Sequence, residues 1–327
     1  MRRRPVLGGW LALAAGASAL ARVDAPASSA TASRRQPLPM PPPLVKGSQV
    51  MAIAPGTWWE DAQREGEGLR ARFAAAGWTL TVPAAIQGRW RWFSEPDGDR
   101  LSRLTRAMAD PAVAAVVSVA GGWGSARLLE RGWRPPSQPR WLVGYSDASA
   151  LLLAQWAAGV GGAVHGSPAG DADQWERLRR LLRGFAVAPL QGAGWQAGIA
   201  VGPLVVSNLT VATSLIGTPW FPPLAGCVLV LEDVGEEPYR VDRMLTQWRS
   251  SGALRGVVGV GLGHFRWKGD DILPGDLSMD EVLRDRLSDL GVPLVGQLPV
   301  GHGRPNLALP LGRLAQLDGE RGTLALL

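Results

Sequence analysis

Four residues, Trp141 to Gly144, form an apolar run that stops at a glycine, and an Ala/Leu-rich helical pattern begins directly after Asp147. A strand that passes into a helix across Tyr145-Ser146-Asp147 must turn sharply, with Ser146 at the turn. Such a turn brings strand and helix nearly into contact and demands small neighbours. Gly144 stands two before the serine and Ala148 two after it. The turn lifts the hydroxyl clear of the backbone. It also aims a helix N-terminus, with its unpaired N–H groups and positive dipole end, at any oxyanion that forms beside it. A serine N-cap opening an ordinary helix would use the same ten residues, so the rest of the chain must separate the two readings.

From Ser48 onward short apolar runs alternate with helical patterns. Val50–Ala54, Leu80–Val82 and Val113–Val119 read as strands between helices over 60–76 and around Leu101, Leu104 and Met108. This alternation predicts an α/β chain with a parallel sheet, its functional residues at the C-terminal ends of the strands. Ala120-Gly121-Gly122-Trp123-Gly124-Ser125 occupies one such end. It lacks the dinucleotide spacing, because Arg127 stands where the last glycine should be. Residues 169–197 read as a charged helix followed by a Gly/Ala-rich interdomain connection. Beyond it come a helix over 208–216, the buried strand Cys227–Leu231 delivering Glu232 and Asp233, a helix from Pro238, strands at 257–262 and 293–298, and short strands over the last 25 residues.

The N-terminus reads as an address label. Three arginines precede the apolar stretch Val6–Ala21, which is short for a membrane span, and small residues at 17–21 suit cleavage. Residues 1–25 are therefore expected to be a signal peptide of an exported, periplasmic protein, cytoplasmic if the leader is not processed. No stable membrane insertion of the mature chain is expected. Residues 26–46, rich in Pro, Ala and Ser, are expected to be a linker, leaving 47–168 and 198–327 as two domains. Seven basic residues up to Lys46 against Asp24 alone account for the whole net charge of +6. The remainder is neutral, which gives no support to nucleic-acid binding.

Few groups are available for chemistry. There are three histidines, His165, His264 and His302, and one cysteine, Cys227, which sits inside a strand pattern and reads as a core residue. With no cysteine cluster and no H-E-x-x-H helix, neither a metal nor a cofactor is expected. A serine nucleophile needs a base and a carboxylate to orient it. Ser146, His302 and Glu232 supply all three from strand ends or loops.

Five motifs in order strengthen that reading: Gly121-Gly122-Trp123-Gly124, Gly144-Tyr145-Ser146-Asp147, Ser214–Trp220, Leu229–Asp233 with Pro238–Leu245, and Gly301-His302 before Leu309-Pro310-Leu311-Gly312. Together they resemble the LD-carboxypeptidase family, which includes the microcin-immunity peptidases, over about residues 49–320. The resemblance implies a flavodoxin-like N-terminal domain carrying Ser146 and a β-rich α/β C-terminal domain carrying Glu232 and His302. It implies catalytic residues Ser146, Glu232 and His302, with oxyanion donors at the backbone N–H groups of Asp147 and Gly122. Release of a terminal D-amino acid, D-alanine, from murein tetrapeptides by a homodimer is the implied activity. Three departures bear on the pocket: Ala120 replaces the usual arginine, Ser149 the usual threonine, and His165-Gly166-Ser167-Pro168 carries an extra residue. Two other readings stay open: an amidase cleaving a peptidyl-nucleotide or similar antibiotic conjugate, and a non-catalytic periplasmic binding protein.

Overall fold

The computed structural model of the chain describes residues 36–59, 62–268 and 275–327, and within them apolar runs and amphipathic helices alternate as the sequence implies. The N-terminal half forms β1 (Gln49–Ile53), α1 (Ala62–Ala75), β2 (Thr79–Thr81), α2 (Asp97–Ala109), β3 (Val113–Ser118), α3 (Ser125–Glu130), β4 (Trp141–Gly144), α4 (Ser149–Ala157) and β5 (Ala163–His165). Its strands pair in parallel in the order β2-β1-β3-β4-β5, the flavodoxin-like arrangement. Apolar β3 and β4 lie in the middle because helices cover both faces there.

The second sheet is built from α5 (Ala172–Leu182) onward. Its elements are β6 (Leu190–Gln191), β7 (Ala193–Gln196), β8 (Ile199–Asn208), α6 (Leu209–Leu215), β9 (Val228–Val234), α7 (Pro238–Ser250), β10 (Gly259–Arg266), α8 (Met279–Leu287) and β11 (Leu294–Gly296). After them come β12 (Leu309–Pro310), β13 (Leu314–Asp318) and β14 (Thr323–Leu326). Eight strands lie in the order β6-β14-β13-β8-β9-β10-β11-β7, with β8 to β11 parallel and the flanking strands antiparallel. The two-sheet α/β fold expected from the sequence is the one observed.

Helix α4, which follows the serine, is apolar all round, and every residue from Ser149 to Trp156 is buried. A helix of that composition has to be enclosed. Leu151, Leu152 and Leu153 share one core cluster with Leu204 and Val206 of β8 and Leu209 of α6.

Two stretches are more structured than their composition suggested. In 169–197, α5 buries Leu178 and Leu182 in the N-terminal core, while β6 and β7 pair into the second sheet. The glycines that read as a connection permit close approach there: a side chain on Gly194 would meet the Gly319 carbonyl. In the expected linker, residues 26–35 and the whole expected leader lie outside the described residues, but 38–44 form a packed strap. Leu38 N–H donates to Gly312 O at 3.1 Å, Leu44 N–H to Leu182 O at 2.8 Å, and Trp141 Nε1–H to Pro42 O at 2.8 Å. Proline runs cannot build a core, yet as extended chain they lie well in a groove, and here Leu44 is buried. Among the described residues no helix is long and apolar enough to cross a membrane.

Candidate active site

Ser146 has φ of 57°, a left-handed conformation rare for a residue with a side chain. It opens a short 3-10 turn, Ser146–Ala148, which runs into α4. The crowding expected of such a turn is present, since a Cβ on Gly144 would stand 2.7 Å from that of Ala148. Strain of this kind persists only where the surroundings hold it. Here the Asp147 carboxylate, fully buried, provides one anchor. It accepts from Gly124 N–H at 3.0 Å, Ser125 N–H at 2.9 Å and the Ser125 hydroxyl at 2.7 Å, binding the serine turn to the glycine turn that follows β3. Burial pushes its carboxyl above the ordinary range, against these hydrogen bonds and the charge of Arg100. Arg100 in turn donates to the carbonyls of Pro55 and Gly124 and pairs with Asp97.

The glycine turn thereby packs on the serine. A Cβ on Gly121 would lie 3.1 Å from Ser146 Oγ, and Gly122, at φ 81°, presses so closely on Thr57 that a side chain would collide. Among the described residues the Gly122 N–H has no hydrogen-bond partner.

The carboxylate and histidine come from the second sheet. Strand β9 runs to Val234, past the end expected at Leu231, because β10 resumes pairing beyond an irregularity, with Phe265 opposite Asp233. Side chains therefore keep alternating, and Glu232 and Asp233 face opposite sides. Glu232 Oε2 accepts from His302 Nδ1 at 2.7 Å and from the His302 backbone N–H at 3.1 Å. Its carboxyl is fully buried, which works to raise its pKa, but the His165 ring beside it and the hydrogen bonds from His302 prevail and hold it at about 2. Gly301, at φ 96°, leaves the space that the Glu232 side chain fills. Asp233 instead caps α6, accepting from Thr210 N–H at 2.7 Å and the Thr210 hydroxyl at 2.9 Å, and burial pushes it up to about 6.

Two clusters thus assemble, Ser146 with the glycine turn and Glu232 with His302. Tyr145 joins them: it precedes the serine, and its ring lies 5.1 Å from that of His302. No hydrogen bond links the Ser146 hydroxyl to the His302 ring among the described residues; such bonds are often loose without substrate. Beside them opens a cleft of about 620 Å³ lined by residues including Tyr145, Gln174, His302, Asn306, Arg266 and Arg304. A smaller cleft of about 490 Å³, around Tyr239 and Trp267, shares no lining residue with it. Trp58, Trp59, Trp90 and Trp92 do not line the larger cleft. Cys227 is fully buried in the core and in no disulfide. His264 is tied to the Pro305 carbonyl at 3.1 Å.

His165 is the residue the sequence undervalued. Counted there only as one of three histidines, it is wholly buried, and its Nε2 lies 3.5 Å from Glu232 Oε1. The available signal was its place at the C-terminal end of the strand beside the one that carries the serine.

Comparison with known proteins agrees with this fold. Residues 50–166 match the LD-carboxypeptidase N-terminal domain and residues 201–317 the LD-carboxypeptidase C-terminal domain. A Synechocystis sp. relative, whose own assignment as a carboxypeptidase is provisional, is 40% identical over 299 residues, covering 89% of this chain and 97% of that protein. The murein tetrapeptide carboxypeptidase of Pseudomonas aeruginosa is 33% identical over 258 residues, covering 72% and 82%. The crystal structure of muramoyltetrapeptide carboxypeptidase from Oxalobacter formigenes superposes with a TM-score of 0.71 at 26% identity, covering 84% and 97%. A strained serine on a strand-to-helix turn, a buried carboxylate–histidine pair and both matched halves lead to one conclusion: the chain belongs to the LD-carboxypeptidase family of serine peptidases.

Proposed function

We propose that the protein hydrolyses the L,D-peptide bond that precedes a terminal D-amino acid in a murein tetrapeptide, with Ser146 as nucleophile, His302 as general base and Glu232 as its orienting carboxylate. The observation that carries this reading is the His302 Nδ1–Glu232 Oε2 contact of 2.7 Å, which commits Nδ1 and leaves Nε2 open, on a ring packed against Tyr145.

The steps follow from these roles. His302 Nε2 takes the proton of Ser146 Oγ as the oxygen attacks the carbonyl carbon, and Glu232 stabilises the imidazolium. The oxyanion is met by the N–H groups of Asp147 and Gly122, in a turn so close to the serine that a Cβ on Gly121 would lie 3.1 Å from the hydroxyl. The imidazolium then protonates the departing D-alanine nitrogen as the C–N bond breaks. Water, deprotonated by the same histidine, hydrolyses the ester. Arg266 and Arg304 at the cleft wall suit the free carboxylate that marks the end of such a peptide.

The test is turnover of a purified muropeptide tetrapeptide. Ser146→Ala should lower kcat by at least about 10³-fold with unchanged thermal stability. Near-normal release of D-alanine by that variant removes Ser146 as nucleophile. Preferred cleavage of an aminoacyl-nucleotide by the intact protein makes it a detoxifying amidase.

A further inference from the structure

Glu232 has two carboxylate oxygens in a site without solvent, and only one of them is provided for. Oε2 accepts two bonds from His302, whereas Oε1 is buried with no hydrogen-bond partner. Opposite it, His165 is equally buried, with both ring nitrogens unpaired, and its Nε2 lies 3.5 Å from Oε1, at the outer limit of a hydrogen bond. Leaving two such groups unpaired in a dry interior carries their full desolvation penalty. A slight ring rotation satisfies both.

The histidine is also placed to act on the site. It ends β5, where its backbone is registered opposite Gly144 of the serine-bearing strand on one side and Leu309 of β12 on the other. The Gly166 N–H closes the strand end on Gly144 O at 2.9 Å. The ring thus projects from the sheet that carries Ser146 toward a carboxylate supplied by the other sheet, with the Tyr145 ring beside it at 6.1 Å.

We infer that His165 is a positioning residue: its Nε2–H donates to Glu232 Oε1 and fixes the carboxylate between two histidines, so that Oε2 stays aligned with His302. This rests on the assignment of Glu232 and His302 proposed above. It assigns His165 the Nε2–H tautomer, leaves its Nδ1 without a proton, and gives it no contact with substrate. Because the bond crosses from one sheet to the other, it also locks the serine and the base in one frame.

Two substitutions separate the bond from bulk. His165→Leu removes the donor, and His165→Gln returns an amide N–H near the position of Nε2. Losing a hydrogen bond to a charged group corresponds to a fall in kcat of about 10- to 100-fold for His165→Leu, with KM little changed. His165→Gln should recover to within a few-fold of wild type. In a Glu232→Gln background His165→Leu should add little, because the carboxylate it positions is gone. Equal losses for the two His165 variants, or a full additional loss in the Glu232→Gln background, overturn the role. If Glu232→Gln itself turns over normally, it is the triad that fails. With three histidines in the chain, ¹⁵N-imidazole NMR of the unmutated protein reads the tautomer directly. An Nδ1–H form of His165 overturns the inference without any variant having to fold.

Discussion

Glu232 and Asp233 are adjacent carboxylates whose environments divide their work. One is held at about 2 between two histidines and is ionised at any working pH; the other is pushed up to about 6 at a helix N-terminus. Glu232→Gln should therefore lower kcat strongly, since an amide cannot stabilise the His302 imidazolium. Asp233→Asn should have a milder effect on turnover. Steady-state kinetics on the two variants checks this, and the opposite order would sink the assignment of the acid. How far the site was legible in the sequence can be judged at these residues. Ser146, Glu232 and His302 could be named because strand ends and motifs mark them. His165 could not be given its place, because its partner lies 67 positions away on the other sheet and no local pattern records that approach.

At the scale of elements, the serine turn and the β9–α6 junction solve related problems. Gly144 against Ala148 lets strand meet helix, and the small residues that make this possible were visible in the sequence. The length of β9 was not, because it depends on pairing resumed by β10 beyond an irregularity in register. At the junction, Asp233 accepts the N–H of Thr210 in the first turn of α6, yet burial outweighs that gain. Since its folded pKa of about 6 exceeds the ordinary 3.8, the folded state binds the proton more tightly than the unfolded chain. Its contribution to stability therefore falls as pH rises from about 4 to about 6. Asp233→Asn lacks this dependence. Relative to wild type, the variant should gain about 1–3 kcal/mol between pH 4 and pH 7 in denaturant unfolding. A constant difference across that range would mean that Asp233 titrates normally.

For the molecule as a whole, the two sheets are interlocked in a way that a division into consecutive domains does not capture. Strand β12, from late in the chain, closes the edge of the first sheet, while β6 and β7 close the two edges of the second. The alternation of strands and helices was readable, but edge pairings between distant short strands were not, because two- or three-residue segments carry no periodicity. The strap at 38–44 extends the same interlocking. It reaches Gly312 through Leu38, Trp141 through Pro42 and Leu182 through Leu44, so that it touches both halves. Burial of Leu44 and these three hydrogen bonds work against the cost of ordering the segment. A chain beginning at Ser48 should accordingly unfold at lower denaturant than one beginning at Gln36, with the same dependence on denaturant concentration. Among the described residues no strap residue hydrogen-bonds to Glu232 or His302, so that pair should survive and turnover at low temperature should stay within a few-fold. Equal midpoints for the two chains would show the strap to be a passenger. A large loss of turnover without loss of stability would show that it shapes the cleft as well as the fold.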